Sequence, residues 1–381
     1  MQQQIAGTGN SILALRGLSP RGFMRSALEG IRQAAGFLQS IESEPDRRIA
    51  WIEFQNKMEA FCLFEYIDLE IGVSNGPDIS LRELADRASR LGPYRAVWGM
   101  EGAGHYYADS QTVSAESPGH LLSEARTGDL ASSGLVPLHT GMGLSLAETV
   151  LGSISGRPAD CGILISKFTD LCRRNSRKGY SGAAFEALGL VVRNLYPHLI
   201  PAIDLFLSKN DALLAYFWHG VGRGIYFNPA NFPPFRSAPW KALEMCRREP
   251  PHELGRRNAI AGLAWALTLV NIRQPEIMEA FLKHHGSQMA EVDAFANGVC
   301  SAMMIWSESA PGDSYLDSFQ QHEPEISVMR MWNKCIRKSW SDALYYHRIL
   351  SQTDGLDEIF RFQDLARFSS PGEKAGTNTW Q

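Results

Sequence analysis

Trp98-Gly99-Met100-Glu101-Gly102-Ala103-Gly104-His105-Tyr106-Tyr107 and Trp218-His219-Gly220-Val221-Gly222-Arg223-Gly224-Ile225-Tyr226-Phe227 read alike without a gap, at an offset of 120. Both follow Trp-x-x-x-Gly-x-Gly-x-Tyr-(Tyr/Phe). A second echo follows each block. Gly143-Leu144-Ser145-Leu146-Ala147-Glu148-Thr149 resembles Gly262-Leu263-Ala264-Trp265-Ala266-Leu267-Thr268, at an offset of 119. Two matches at nearly one spacing predict an internal duplication. The expected architecture is all-α, with tandem helical repeats over about 98–215 and 218–335.

Glycine inside a helix costs about 1 kcal/mol relative to alanine. A helix that holds several must gain something back, and a close helix crossing is the usual gain. Both blocks are therefore predicted as helices packed backbone to backbone against a neighbour. The aromatic residues at Tyr106 and Tyr226 would wedge the next layer. A phosphate-cradling loop is the competing reading, but the spacing is not G-x-x-x-x-G-K-(S/T) and no apolar β-run precedes it.

Outward from the blocks, helical periodicity dominates. Leu28, Ile31, Ala35, Leu38 and Ile41 share one face, and a longer helix is expected over 47–71. Ser80-Leu81-Arg82-Glu83 has capping-box form ahead of a short amphipathic helix closed by Gly92-Pro93. Further helices are expected over 138–154, 161–174, 182–195, 201–214, 253–272, 275–285, 291–307 and 328–350, with a short one at 119–125. Loops are expected over 228–239 and 311–325. Residues 1–20 and 369–381 read as tails flanking one helical domain over 21–368. Period-two runs rich in β-branched residues are scarce.

The 381 residues are 44% apolar and 20% charged, with a net charge of −4, an ordinary globular balance. No domain-sized basic stretch is present, which argues against nucleic acid as a partner. The cysteines, Cys62, Cys161, Cys172, Cys246, Cys300 and Cys335, form no C-x-x-C pair and no zinc spacing, so reduced buried thiols are expected. No apolar segment follows Met1, and the run Ala259 to Val270 is too short for a bilayer. A cytoplasmic, soluble protein is the expectation.

Several segments together resemble a domain of unknown function found in bacterial natural-product gene clusters, including those for enediyne polyketides. The resemblance spans roughly 27–310. It is carried by Leu28-Glu29-Gly30-Ile31, Leu81-Arg82-Glu83-Leu84, Glu101-Gly102-Ala103-Gly104 and His139-Thr140-Gly141-Met142-Gly143. It continues through Gly182-Ala183-Ala184-Phe185-Glu186, His219-Gly220-Val221-Gly222-Arg223 and Arg256-Arg257-Asn258-Ala259. The resemblance implies bacterial specialised metabolism and transfers no activity. The chain departs from the family at His105-Tyr106-Tyr107-Ala108-Asp109, where the family carries an apolar run.

The polar residues inside these apolar segments are the candidates for chemistry. Glu101, His105 and Asp109 recur at helical spacing and share a face. They could ligate a metal, run acid–base chemistry or form a solvated face. The second block has Val221, Ile225 and Pro229 at the aligned positions, so no metal is expected. His219 and Arg223 are likewise one turn apart. His139 and Glu186 are isolated in otherwise apolar helices, where a hydrogen-bonded core residue is the commoner outcome. Cys172 beside Arg173 and Arg174 is a faint nucleophile candidate. No G-x-S-x-G and no dinucleotide fingerprint occurs, so no nicotinamide, flavin or nucleotide is expected.

Two function classes stay open. One is a cofactor-independent biosynthetic enzyme that cyclises, isomerises or eliminates on a mostly apolar small molecule between the repeats. Glu101 would be its base, His219 the acid partner and Arg223 the stabiliser of negative charge. His105, Tyr106, His139, Glu186, Trp218 and Tyr226 would line the substrate site. The other is a non-catalytic helical protein that carries an intermediate or docks on a partner enzyme. On either reading Glu101 needs a partner, and His219 or Arg223 is the expected one.

Overall fold

The computed structural model describes residues 45–73, 79–112, 119–153, 161–231, 238–286 and 289–362. The helix read over Leu28 to Ile41 and both tails lie outside them. Among the described residues the secondary structure is helical, without strands. The long elements are α1 (Pro45–Glu65), α2 (Leu81–Ser89), α3 (Pro93–Thr112), α4 (Leu135–Gly152), α5 (Cys161–Asn175), α6 (Ser181–Leu195), α7 (Ile200–Leu207) and α8 (Asp211–Tyr226). They continue as α9 (Ala238–Arg248), α10 (Glu253–Val270), α11 (Pro275–His285), α12 (Val292–Ser309), α13 (Tyr315–Gln321) and α14 (Lys338–Gln352).

The first Gly block lies inside α3 and the second inside α8, and both are almost entirely buried. Five successive crossings link α3, α4, α6, α8, α10 and α12 into a row, each helix against the next. Glycines make those crossings close. A Cβ on Gly141 would stand 1.8 Å from the Glu101 carbonyl oxygen, and one on Gly104 would stand 2.1 Å from that of Leu138. The same reciprocal contact joins α6 to α8, through Gly189 on Phe217 and Gly220 on Glu186, at 1.9 and 2.0 Å. It joins α8 to α10 through Gly222 on Ala259 and Gly262 on His219, both at 1.9 Å. Gly143 on Ala184 and Gly298 on Ala261 make one-sided versions, at 2.5 and 2.1 Å. No side chain fits in such gaps, so the helices touch main chain to main chain, closer than usual ridge-into-groove packing allows.

In each reciprocal crossing the touching carbonyl lies three residues before the glycine of its own helix. This unit recurs from helix to helix. It does not follow the ungapped alignment of the two blocks. Gly102 packs on the Phe64 carbonyl of α1, whereas its aligned partner Gly222 packs on α10. Gly104 meets the following helix, α4, whereas Gly224 meets the preceding one, α6. Trp98 packs edge-on against Phe227, whereas Trp218 donates its indole N–H to Asp204 at 2.7 Å.

The row curls. Tyr94 at the start of α3 donates to the Val270 carbonyl at the end of α10 (2.7 Å), and its ring lies 6.4 Å from that of Trp306 on α12. The curl brings α3 against the end of α8, which places the polar residues of both blocks within reach of one another.

Several expected boundaries shift for local reasons. The helix expected over 201–214 is two, because Asn210 caps α8 by accepting from the Leu213 N–H (3.1 Å) and so ends the run begun by α7. The stretch at 119–125 yields only Glu124–Thr127. The helix expected over 328–350 is interrupted by a π-helical turn at Asn333–Arg337 before α14. Helix α13 forms within the expected connector, and α9 begins at the end of the expected loop and runs through a stretch given no assignment; in α9, Ala242, Leu243 and Cys246 supply a buried face.

Candidate functional site

Glu101 on α3, Glu186 on α6 and His219 and Arg223 on α8 converge into one buried polar set. Arg223 is 2% exposed, and each of its terminal nitrogens reaches a different helix. Nη2 donates to Glu101 Oε1, and Nη1 donates to Glu186 Oε2 at 3.2 Å. Glu186 Oε1 lies 3.2 Å from His219 Nδ1. The guanidinium sits 4.9 Å from the Trp265 ring centre, and the rings of Trp265 and Phe360 pack edge-on or tilted around His219. The partner expected for Glu101 is therefore Arg223, while His219 serves Glu186.

The crossings put these groups there. Glu101, Glu186 and His219 are the residues whose carbonyls touch a glycine of the next helix, so each leaves its helix at the point of closest approach. The local sequence repeats accordingly: Glu101-x-x-Gly104, Glu186-x-x-Gly189 and His219-x-x-Gly222.

Burial and charge set the proton preferences. Burial pushes the Glu101 carboxyl above the usual carboxylate range, further than Arg223 pulls it down. Burial would also raise Glu186, but Arg223 and His219 together outweigh it and hold it below the usual range. Burial opposes the charge on Arg223, yet two carboxylates keep it firmly protonated. Glu186 is held by both Arg223 and His219, whereas Glu101 is held by Arg223. Glu101 is thus the member of the set that takes up a proton.

Glu101 and Arg223 also line a cavity of about 90 Å³ that is partly open to solvent. Its walls are mostly apolar: Ala60, Phe61, Phe64, Trp98, Leu144, Leu190, Val191, Leu195 and Phe227. Its other polar residues are Glu65, Glu148 and Asn194. Glu148 lies 3.4 Å from His105 Nε2, and Asp109 lies 3.5 Å from His105 Nδ1. Ser145 donates to Asp109 at 2.6 Å. The Glu101–His105–Asp109 face is therefore divided: Glu101 turns to Arg223, and His105 is held between two carboxylates. Among the described residues no three His, Cys, Asp or Glu side chains are grouped to hold a metal ion.

Other expected site residues stand elsewhere. His139 is saturated by backbone: Nδ1 faces the Leu135 carbonyl (2.7 Å) and Nε2 faces the Arg177 N–H (3.0 Å). That pattern fixes Nδ1 as the donor and Nε2 as the acceptor in a neutral ring, stacked on Tyr180. Burial pushes its pKa down to about 4. Tyr226 belongs to a second buried cluster. There the Lys57 ammonium lies 4.1 Å from the Tyr226 ring centre, pairs with Glu53 at 2.7 Å and donates to the Asn231 carbonyl at 3.0 Å. Burial pushes the Lys57 pKa down, against the pull of Glu53. Trp218 packs on His252 and Phe217. Tyr106 is half-buried against the core. Of the expected residues, Glu101 and Arg223 line the cavity; His219 and Glu186 stand behind Arg223. Cys172 is fully buried, and burial pushes its thiol far up.

Sequence reasoning passed over Glu148, Glu65 and Lys57. Glu148 sits within the quoted echo Gly143 to Thr149 and differs from the aligned Leu267, which was the available signal. Nothing in the local pattern marks Lys57.

The saturated His139 makes a pH prediction. Its folded pKa lies below its unfolded value near 6.5, so the unfolded chain binds the extra proton first and stability falls as pH drops below about 6.5. From about pH 7 to about pH 5 this one group removes about 2 kcal/mol of unfolding free energy. Urea unfolding at both pH values checks it: His139→Gln, which cannot titrate, flattens that part of the slope.

Among the described residues no single helix is long and apolar enough to cross a membrane. The chain matches no family model, no curated protein and no solved structure.

Proposed function

We propose that the chain is a biosynthetic enzyme that performs general acid–base chemistry on a mostly apolar small molecule in the Glu101 cavity, without nucleotide or metal. The observation that carries this is Glu101 itself: a nearly buried carboxyl, raised in pKa, lining an apolar cavity and held by one guanidinium. One oxygen of Glu101 is taken by Arg223, and among the described residues the carboxyl has no other hydrogen-bond partner. A carboxyl in that state holds a proton more readily than an ordinary carboxylate and can donate or accept one, as general acid–base catalysis requires.

Glu148 is the natural second group. It lines the same cavity, is a quarter exposed and contacts His105. Glu101 and Glu148 would exchange protons with the substrate, with His105 and the more exposed Asp109 linking them to solvent. Arg223, bonded to Glu101, would steady its carboxylate form when the proton leaves. His219, placed behind Arg223, orients Glu186 and through it the guanidinium. Cyclisation, isomerisation and elimination all need this pairing of acid and base. The resemblance to natural-product cluster proteins supports a biosynthetic setting. A second reading, a carrier of a pathway intermediate, uses the same cavity without proton transfer.

The Glu101→Gln protein separates them. Returned to a strain lacking the gene, an enzyme variant accumulates its substrate, with turnover reduced by at least about a hundredfold. Unimpaired product with Glu101→Gln removes the acid–base reading and leaves the carrier.

A further inference from the structure

The cavity lining carries an unequal charge. Among the described residues Glu65, Glu101 and Glu148 face it, against one cation, Arg223. Arg223 is not available to a ligand anion in the ordinary way, because Nη1 and Nη2 already serve Glu186 and Glu101. Four aromatic rings complete the walls: Phe61, Phe64, Trp98 and Phe227. Aromatic rings carry negative faces, and ring walls with a carboxylate beside them are the standard receptor for an organic cation. An anionic ligand would meet Glu148 with nothing left to answer it. A neutral apolar ligand would take water from the partly exposed Glu148 and add nothing beyond its contact with His105, which costs free energy.

Resting on the reading that this cavity is the ligand site, we propose that its ligand is an organic cation: a small molecule bearing an ammonium group, seated among Phe61, Phe64, Trp98 and Phe227 with Glu148 and Glu101 as its counter-charges. The substrate of the acid–base step is then an amine-bearing molecule with a mostly apolar frame. The ammonium anchors the frame, and the proton exchange at Glu101 acts on a neighbouring carbon or heteroatom of the same molecule. Asn194 supplies a neutral amide to the lining for a further polar contact.

Binding should also tighten with rising pH. The charged and titratable groups facing Glu101 are Arg223 from α8, Glu186 from α6, His105 on its own helix, and Glu65 and Glu148 across the cavity. Burial favours the protonated Glu101 carboxyl, whereas a bound cation favours the ionised one, so ligand binding releases a proton.

Calorimetric titration of the full-length protein tests this with four probes: benzyltrimethylammonium, choline, the uncharged tert-butyl isostere of choline, and benzoate. The expected result is that the cations bind at least about tenfold more tightly than the isostere and benzoate. Glu148→Gln and Phe64→Leu should each weaken cation binding several-fold and leave the isostere unchanged. Equal binding of choline and its isostere, no binding of either cation, or preference for benzoate overturns the proposal. The wild-type comparison decides by itself if a variant does not fold. The outcome is separable from the catalytic reading. Loss of cation preference leaves the Glu101→Gln turnover result standing, and an active Glu101→Gln protein leaves the cation preference standing.

Discussion

Gly141→Ala should lose about 3 kcal/mol of unfolding free energy, at the upper end of what overpacking costs. A Cβ there would stand 1.8 Å from the Glu101 carbonyl oxygen and 2.7 Å from the His105 nitrogen. These are backbone atoms of a rigid helix, so no side-chain rotation relieves the contact. Helices α3 and α4 must separate, and the separation propagates to Glu101, whose main chain is the very point of contact. The variant should therefore lose cavity chemistry along with stability. Gly222→Ala and Gly262→Ala, each 1.9 Å from a carbonyl of the facing helix, should behave alike. Gly152→Ala is the control: nothing lies within 4 Å of its added Cβ, and it sits at the exposed end of α4. It should be neutral or gain up to about 1 kcal/mol from helix propensity. Urea denaturation of the four variants measures the contrast. A Gly141→Ala protein within about 0.5 kcal/mol of wild type would mean that the helices do not touch main chain to main chain.

Arg223→Met should lose about 3–5 kcal/mol. The substitution keeps apolar bulk beside Trp265 but removes the charge shared by Glu101 and Glu186. Two carboxyls are then buried together without the guanidinium, Glu186 keeping only His219, so folding favours protonation, of Glu101 first. The loss should shrink as pH falls, because the folded variant binds more protons than the unfolded chain. Adding Glu186→Gln should recover part of it, since one of the orphaned carboxyls becomes a neutral amide. A loss under about 1 kcal/mol, or no recovery in the double variant, would show that the set is solvated and not a closed charge network.

How much was legible beforehand follows from the range of each interaction. The helical class was, because apolar periodicity and glycine cost act within a few turns of the chain. The two Gly blocks were correctly read as crossing helices, for the same reason. The pairing of Glu101 with a residue of the second block was also legible, because a carboxylate among small apolar residues must have a partner. The choice of Arg223 over His219 was not. Both lie one turn apart on α8, and only the angle at which α6 crosses α8 puts Glu186 between them.

The sequence by itself determined that this chain would be helical, that its glycines would be contact points and that Glu101 could not stay alone. These follow from backbone geometry and from the cost of burying charge. The tertiary structure decided what the glycines contact. Read without gaps, the blocks align Gly102 with Gly222 and Gly104 with Gly224, yet in the packing Gly104 and Gly222 are the pair that face the next helix. The repeating unit is a carbonyl followed three residues later by a glycine, answered by the same unit on a neighbour. That relation is made between helices and has no trace in the period of either one. Tertiary structure also decided the cavity, because Ala60, Glu101, Glu148, Asn194 and Arg223 come from five helices. It withdrew His139 and Tyr226 from the cavity by giving each a saturated place elsewhere. Residue type limits what a side chain can do, and the curl of the row selects which of those roles the space around it permits.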